Sequence, residues 1–198
     1  MSSKWMIIGI SGVTCGGKTT LTQRLAQHFT DCVTMDQDQY FRLEEDPNHE
    51  WVDVSPGVRH QNWESMASMD WQAMTNAIND IIAKEPPKSS DYPALLIVDG
   101  FLIFNYKPIS DVFYKKFFIT IDKDECLRRR TERAYLPPDP NGYFESWVWP
   151  MYLKNRHLMN DCQNDVPIEY LDGSLDKDII FETVLENINQ LLSQQTKL

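Results

Sequence analysis

The chain has 198 residues and a net charge of −10, from 19 Lys and Arg against 29 Asp and Glu. A hydrophobic share of 42% supplies a substantial core and sets wholesale disorder aside. The acidic balance argues against a nucleic-acid binder, which carries a broad basic face.

Residues 4–10 (KWMIIGI) predict a strand buried on both faces. The run is too short to span a membrane and follows no signal-type leader, so no membrane association is expected. A glycine-rich turn over 11–19 leads into a helix, where Leu21, Leu25 and Phe29 recur every four residues. Residues 32–35 predict a second strand, running into Asp36-Gln37-Asp38-Gln39-Tyr40-Phe41. The stretch of about 42–62 is acidic and aperiodic and predicts a mobile loop. A helix is expected over 64–84 on a stripe that includes Met66, Met74, Ile78 and Ile81, ended by prolines.

Residues 94–98 (ALLIV) and 117–121 (FFITI) predict further buried strands, the first running into Asp99. Asp122, with Glu125 three residues on, has the form of a helix cap. That helix carries Arg128, Arg129, Arg130 and Arg133. Prolines and aromatics beyond it predict a lid at about 128–148. A helix near 149–161, a strand at 168–171 and an amphipathic helix over 176–193 follow. Strands alternating with helices predict an α/β fold, a P-loop NTPase-type parallel sheet with helices on both faces, in one domain over 1–198.

The segment Gly12-Val13-Thr14-Cys15-Gly16-Gly17-Lys18-Thr19 fits G-x-x-x-x-G-K-[ST] without a mismatch. Triphosphate oxygens need backbone N–H groups at close range, which glycines allow. The helix beginning here points its partial positive charge at the anion. Lys18 suits the β- and γ-phosphates, and Thr19 offers a hydroxyl to Mg²⁺, the expected cofactor of ATP.

Phosphoryl transfer to an alcohol also needs carboxylates at the carboxyl ends of parallel strands. Asp99 has the Walker-B position, and Asp38 follows the second strand, with Asp36 competing. Lid arginines would neutralise the transferring phosphoryl group, although a basic helix face is commonly solvated. Successive arginines at 128–130 lie about 100° apart on a helix and cannot all face one ligand. Trp63 with Glu64, and Tyr135, are residue types that sandwich and hydrogen-bond a flat hydroxylated ligand, though such aromatics also serve cores. The four cysteines form no C-x-x-C pair and no zinc spacing, so reduced thiols and a cytoplasmic location are expected. Cys15 reads as a tolerated variable position of the loop.

Several segments together resemble the nicotinamide riboside kinase family, in the uridine-kinase-like branch of P-loop kinases. They are IIGISGVTCGGKTTL (7–21), QDQYF (37–41), LIVDGFLIFNYKP (96–108), CLRRRTERAYLPPDPNGYF (126–144), VWPMYLK (148–154) and YLDG (170–173). The resemblance implies that Asp38 is the catalytic base and, with Thr19, serves the metal. It implies that Asp38, Gln39, Tyr40, Phe41, Trp63, Glu64, Arg130, Tyr135 and Leu136 surround the riboside. Residues 12–19, Thr20, Arg129 and Arg133 would meet ATP, with Leu175, Asp176 and Lys177 beside adenine. The family often has Asp where this chain has Gln39 and Glu64, and Glu where it has Asp99. A longer Glu64 arm would alter the grip on the ribose.

The expected reaction is ATP-dependent phosphorylation of nicotinamide riboside, and of nicotinic acid riboside, at the ribose 5′-hydroxyl, by a monomer. A uridine or cytidine kinase on the same scaffold is the nearest rival. A guanine-nucleotide switch would want an N-K-x-D motif, which the sequence lacks; an inactive nucleotide-binding protein is the third reading.

Overall fold

The computed structural model describes residues 4–86, 93–135, 137–162 and 165–195. Five parallel strands form the main sheet: β1 (Trp5–Gly12), β2 (Cys32–Asp36), β5 (Ala94–Asp99), β6 (Lys115–Thr120) and β7 (Ile168–Asp172). Their order is β2-β5-β1-β6-β7. The sheet is thus parallel and covered on both faces, as the alternating pattern predicts.

Alternation along β1 explains the two layers. Met6, Ile8 and Ile10 enter one core with Leu21 and Leu25 of α1 (Lys18–His28) and Val184 and Ile188 of α6 (Lys177–Gln195). Trp5 and Ile7 enter the other, with Met74 and Ile78 of α2 (Trp71–Ile82), Ile109 of α3 (Lys107–Ser110) and Tyr152 of α5 (Trp149–Leu158). Helix α4 (Lys123–Thr131) opens with the Asp122 carboxylate accepting from the Glu125 amide at 2.8 Å, the expected cap.

Three expectations need correction. Residues 42–62 hold a hairpin, β3 (Trp51–Ser55) and β4 (Val58–Gln61), with Gly57 at φ 79° in its turn. His60 and Gln61, on opposite faces of its second strand, are both buried although polar, and Asn62 beyond its end is buried too. Polar residues at buried positions mask the two-residue period. The helix expected from residue 64 begins at Trp71, because Asp70 accepts from the Ala73 amide and caps it there. Ser65 similarly opens a short 3₁₀ turn, Met66–Ser68. Finally, the distal part of the expected lid is core: Tyr143, Phe144 and Val148 are buried, and a π-helical turn, Phe144–Val148, runs straight into α5.

Candidate active site

β1 carries the chain between β5 and β6, and the loop turns at its carboxyl end. Gly12 has φ 138°, and a Cβ there would stand 2.2 Å from the Ile119 carbonyl oxygen of β6. Only glycine lets the loop leave the sheet so closely. The Val13 amide then donates to that carbonyl at 3.1 Å. Gly17 sits at φ 98° as the cap of α1 and supplies no side-chain acceptor, so the helix opens with its amides available to an anion. Lys18 folds over the loop, donating to the carbonyls of Gly12 at 3.1 Å and Val13 at 2.9 Å. Burial pulls its ammonium below the ordinary lysine range, while the charges of Asp38 and Asp99 pull it back. Thr20 is exposed on the first turn of α1.

Parallel pairing of β2 with β5 sets Asp36 opposite Asp99. Thr19 donates to the Asp99 carboxylate at 3.2 Å. Burial, and then Asp36, push the Asp99 carboxyl up to about 6. The two candidate bases separate by contact. Asp36 accepts from the Asp38 amide at 2.9 Å and caps the 3₁₀ turn Gln37–Tyr40, which leaves the Asp38 side chain open to the cleft. The cleft walls and Asp36 raise the Asp38 carboxyl, opposed by Lys18 and Arg133. Beside it Gln39 is exposed, and the Tyr40 ring packs on the core. Phe41 stacks on Phe101 at 5.9 Å and meets Trp63 edge-on at 5.6 Å.

Glu64 is buried and faces Arg130 at 3.7 Å. Burial pushes its carboxyl up to about 7 against the pull of Arg130. The arginine run divides as its helical spacing requires. Arg128 pairs with Glu125 and Glu132 on the surface, the solvated face that a charge run ordinarily makes. Arg129 reaches the carbonyls of Cys15 at 3.3 Å and Gly173 at 3.0 Å, while holding Glu125 at 2.6 Å. Arg130 is buried, bonded to Asp139 at 2.6 Å and to the Thr14 hydroxyl at 3.1 Å. Its guanidinium lies 4.4 Å from the Tyr135 ring centre, and that of Arg133 5.3 Å. Leu136 lies outside the described residues.

The loop after β7 stands next to this group through the Arg129–Gly173 bond. Leu175 is exposed there, Asp176 accepts from the Asp178 amide at the start of α6, and the Lys177 carbonyl accepts from Arg24. The structure therefore brings Lys18, Thr19, Asp38, Asp99, Glu64 and Arg130 around one cleft, while Tyr40 faces the core.

Three residues that sequence reasoning missed shape that cleft. The Tyr143 hydroxyl accepts from the Trp63 amide and donates to the Gln61 carbonyl, both at 3.1 Å. Asn155 donates to the Glu64 carbonyl at 3.0 Å. Gln37, fully buried, accepts from the Leu102 amide at 3.0 Å and so joins the Asp38 turn to the loop that follows β5. Tyr143 and Gln37 fall inside the segments that carry the family resemblance, which was the available signal; Asn155 had none.

An AAA domain family profile matches residues 8–149. Nicotinamide riboside kinase 1 of Homo sapiens is 40% identical over 197 residues, covering 97% of this chain and 96% of that one. Nicotinamide riboside kinase 1 of Mus musculus is 38% identical over 204 residues, covering 98% and 100%. Among solved structures, a gluconokinase from Sinorhizobium meliloti 1021 superimposes with a TM-score of 0.57 at 12% identity, covering 98% of this chain and 97% of that one, which is a likeness of fold. With that identity sustained over nearly its whole length, and with the phosphate loop and strand-end carboxylates in place, the chain belongs to the nicotinamide riboside kinase family.

Proposed function

We propose that the chain transfers the γ-phosphoryl group of ATP to the 5′-hydroxyl of nicotinamide riboside, giving ADP and nicotinamide mononucleotide, and that it accepts nicotinic acid riboside as well. The observation that carries this reading is the convergence of Asp38, Asp99 and Glu64 on the charge of Lys18 at the mouth of a phosphate loop. The names of the curated relatives supply the substrate.

In this mechanism the amides of residues 12–19 and the Thr20 turn hold the triphosphate. Lys18 leaves the loop carbonyls for the β- and γ-phosphates. Asp38 orients the 5′-hydroxyl and takes its proton. Trp63, Glu64, Arg130 and Tyr135 hold the riboside, with Phe41 behind Trp63; Arg129 and Arg133 reach the phosphates, and residues 175–177 flank the adenine. Positioning and charge stabilisation account for the catalysis of such a transfer.

Mg²⁺ fits the donors present. Among the described residues no three His, Cys, Asp or Glu cluster as a metal cage. Mg²⁺ needs none, since it takes one or two protein oxygens and completes its shell with phosphates and water. Thr19 and Asp38 would hold it, with Asp99 bonded to the Thr19 hydroxyl. Its chemistry there is to neutralise charge on the β- and γ-phosphates.

Cytoplasmic location and a monomeric state belong to the same proposal. No helix among the described residues is long and apolar enough to cross a membrane. The test is an acceptor panel with ATP and Mg²⁺: nicotinamide riboside, nicotinic acid riboside, uridine and cytidine. The two pyridine ribosides should give the higher kcat/KM; faster turnover of uridine than of nicotinamide riboside would overturn the assignment.

A further inference from the structure

Cys15 occupies the middle of the phosphate loop with φ 58°, the one non-glycine residue at positive φ among the described residues. Glycine would fit that backbone better, as it does at Gly17 two positions on. The thiol is what cysteine adds. Its Sγ lies 3.3 Å from the Tyr135 hydroxyl. The left-handed backbone sets the direction of Cβ, and the side-chain rotamer then brings Sγ to the Tyr135 hydroxyl. Burial, followed by this contact, holds the Tyr135 phenol well above its ordinary range, so the hydroxyl keeps its proton and remains a hydrogen-bonding partner.

The neighbouring contacts run in the same direction. The Cys126 thiol donates to the Thr14 carbonyl at 3.3 Å, Arg130 to the Thr14 hydroxyl at 3.1 Å, and Arg129 to the Cys15 carbonyl at 3.3 Å. Residues 14 and 15 thus receive α4 at three points. The Cys15 thiol extends that junction past the helix, to the ring that Arg130 and Arg133 flank. One side of this junction would grip phosphate; the other would wall the acceptor.

We propose that Cys15 is a positioning residue, which sets Tyr135 against the phosphate loop and through it the affinity for the acceptor. This rests on the reading of Tyr135 as part of the acceptor wall. The Cys15 side chain is directed at Tyr135, while its backbone amide belongs to the loop that would hold the triphosphate.

The test is a double-mutant cycle on the full chain, read as acceptor KM, ATP KM and thermal midpoint. Cys15→Gly relieves the backbone and removes the thiol. It should raise the acceptor KM by roughly three- to tenfold, the scale of one hydrogen bond, a larger factor than any change in the ATP KM, with no loss of thermal midpoint. Cys15→Ser, which retains a hydroxyl at the same place, should return the acceptor KM to within about twofold of the parent. In a Tyr135→Phe background the effect of Cys15→Gly on the acceptor KM should shrink, because the Tyr135 hydroxyl is already gone and only the thiol's contact with the Thr14 hydroxyl remains of those two. An unchanged acceptor KM in Cys15→Gly, or an effect that persists undiminished in Tyr135→Phe, would overturn the proposal. Tyr135→Ala separates the two layers. If it raises the acceptor KM while Cys15→Gly does not, the positioning role alone fails. If it leaves the acceptor KM unchanged, Tyr135 is no acceptor wall and both fail.

Discussion

Glu64→Gln probes the electrostatics of the cleft with little change of shape. Glu64 is 7% exposed, and burial pushes its carboxyl from 4.5 to about 7. Arg130 opposes this at 3.7 Å, but its guanidinium is already bonded to Asp139 at 2.6 Å. At intermediate pH the folded chain therefore holds Glu64 protonated while the unfolded chain ionises it. A carboxyl raised in this way contributes stability that is complete below about 4.5 and is lost as the pH rises through about 7. The difference between 7 and 4.5 corresponds to about 3 kcal/mol at 1.36 kcal/mol per pH unit. Glutamine does not titrate. The stability of the parent minus that of Glu64→Gln should consequently fall by about 3 kcal/mol between pH 4.5 and pH 7.5. For a chain of this length that is roughly 6–12 °C of relative midpoint. Urea titrations followed by tryptophan fluorescence at half-unit pH steps measure it. Asp99 is also raised, to about 6, but stands in both proteins and drops out of the difference. Parallel stability curves across that window would mean that the folded chain leaves Glu64 hydrated or ionised, and the argument from burial would be wrong.

Asp38→Asn removes the proton acceptor and should cut kcat by about 10²–10⁴-fold while equilibrium binding of a non-hydrolysable ATP analogue stays close to the parent. In the parent, kcat/KM should fall on the acid side, because the carboxyl that burial and Asp36 raise must ionise to act; a flat acid limb would remove Asp38 from the role. Tyr143→Phe keeps the ring and removes the hydroxyl that ties the Trp63 amide to the Gln61 carbonyl, at a cost of about 0.5–1.5 kcal/mol in chemical denaturation, since that amide keeps its own bond to the Gln61 carbonyl. The same variant should raise the acceptor KM and spare the ATP KM, since it loosens residues 61–63 and leaves the loop at 12–19 alone.

What was legible in the sequence follows from where each interaction lies along the chain. The phosphate loop is one contiguous run whose glycines answer to local backbone needs, so its eight residues identify it without any partner. The buried strands declare themselves because both of their faces are apolar, as at 94–98. The hairpin at 51–61 escaped notice because polar residues take buried positions beside the apolar Val52: His60 packs on the Tyr143 ring, and Gln61 is held by hydrogen bonds to residues distant in the chain. Gln61 donates to the Glu44 carbonyl at 2.6 Å and its own carbonyl accepts from Tyr143, 82 positions away. Asp36 and Asp38 were equally good bases by spacing. The family resemblance is what favoured Asp38, and in the fold the Asp36 carboxylate caps the turn Gln37–Tyr40 while the charges of Lys18 and Arg133 act on Asp38. The arginines repeat the lesson. A helical wheel shows that 128, 129 and 130 point apart, but not which one meets Asp139 and Thr14. Local chemistry therefore announces the nucleotide half of the cleft. The half proposed for the acceptor draws on pieces of the chain between residues 38 and 155 that only the fold brings together. Of the three departures from the family pattern, Asp99 stands against Thr19 of the phosphate loop, and the other two, Gln39 and Glu64, fall in that second half. It is there that acceptor preference can change while the phosphate loop stays fixed by its own backbone geometry.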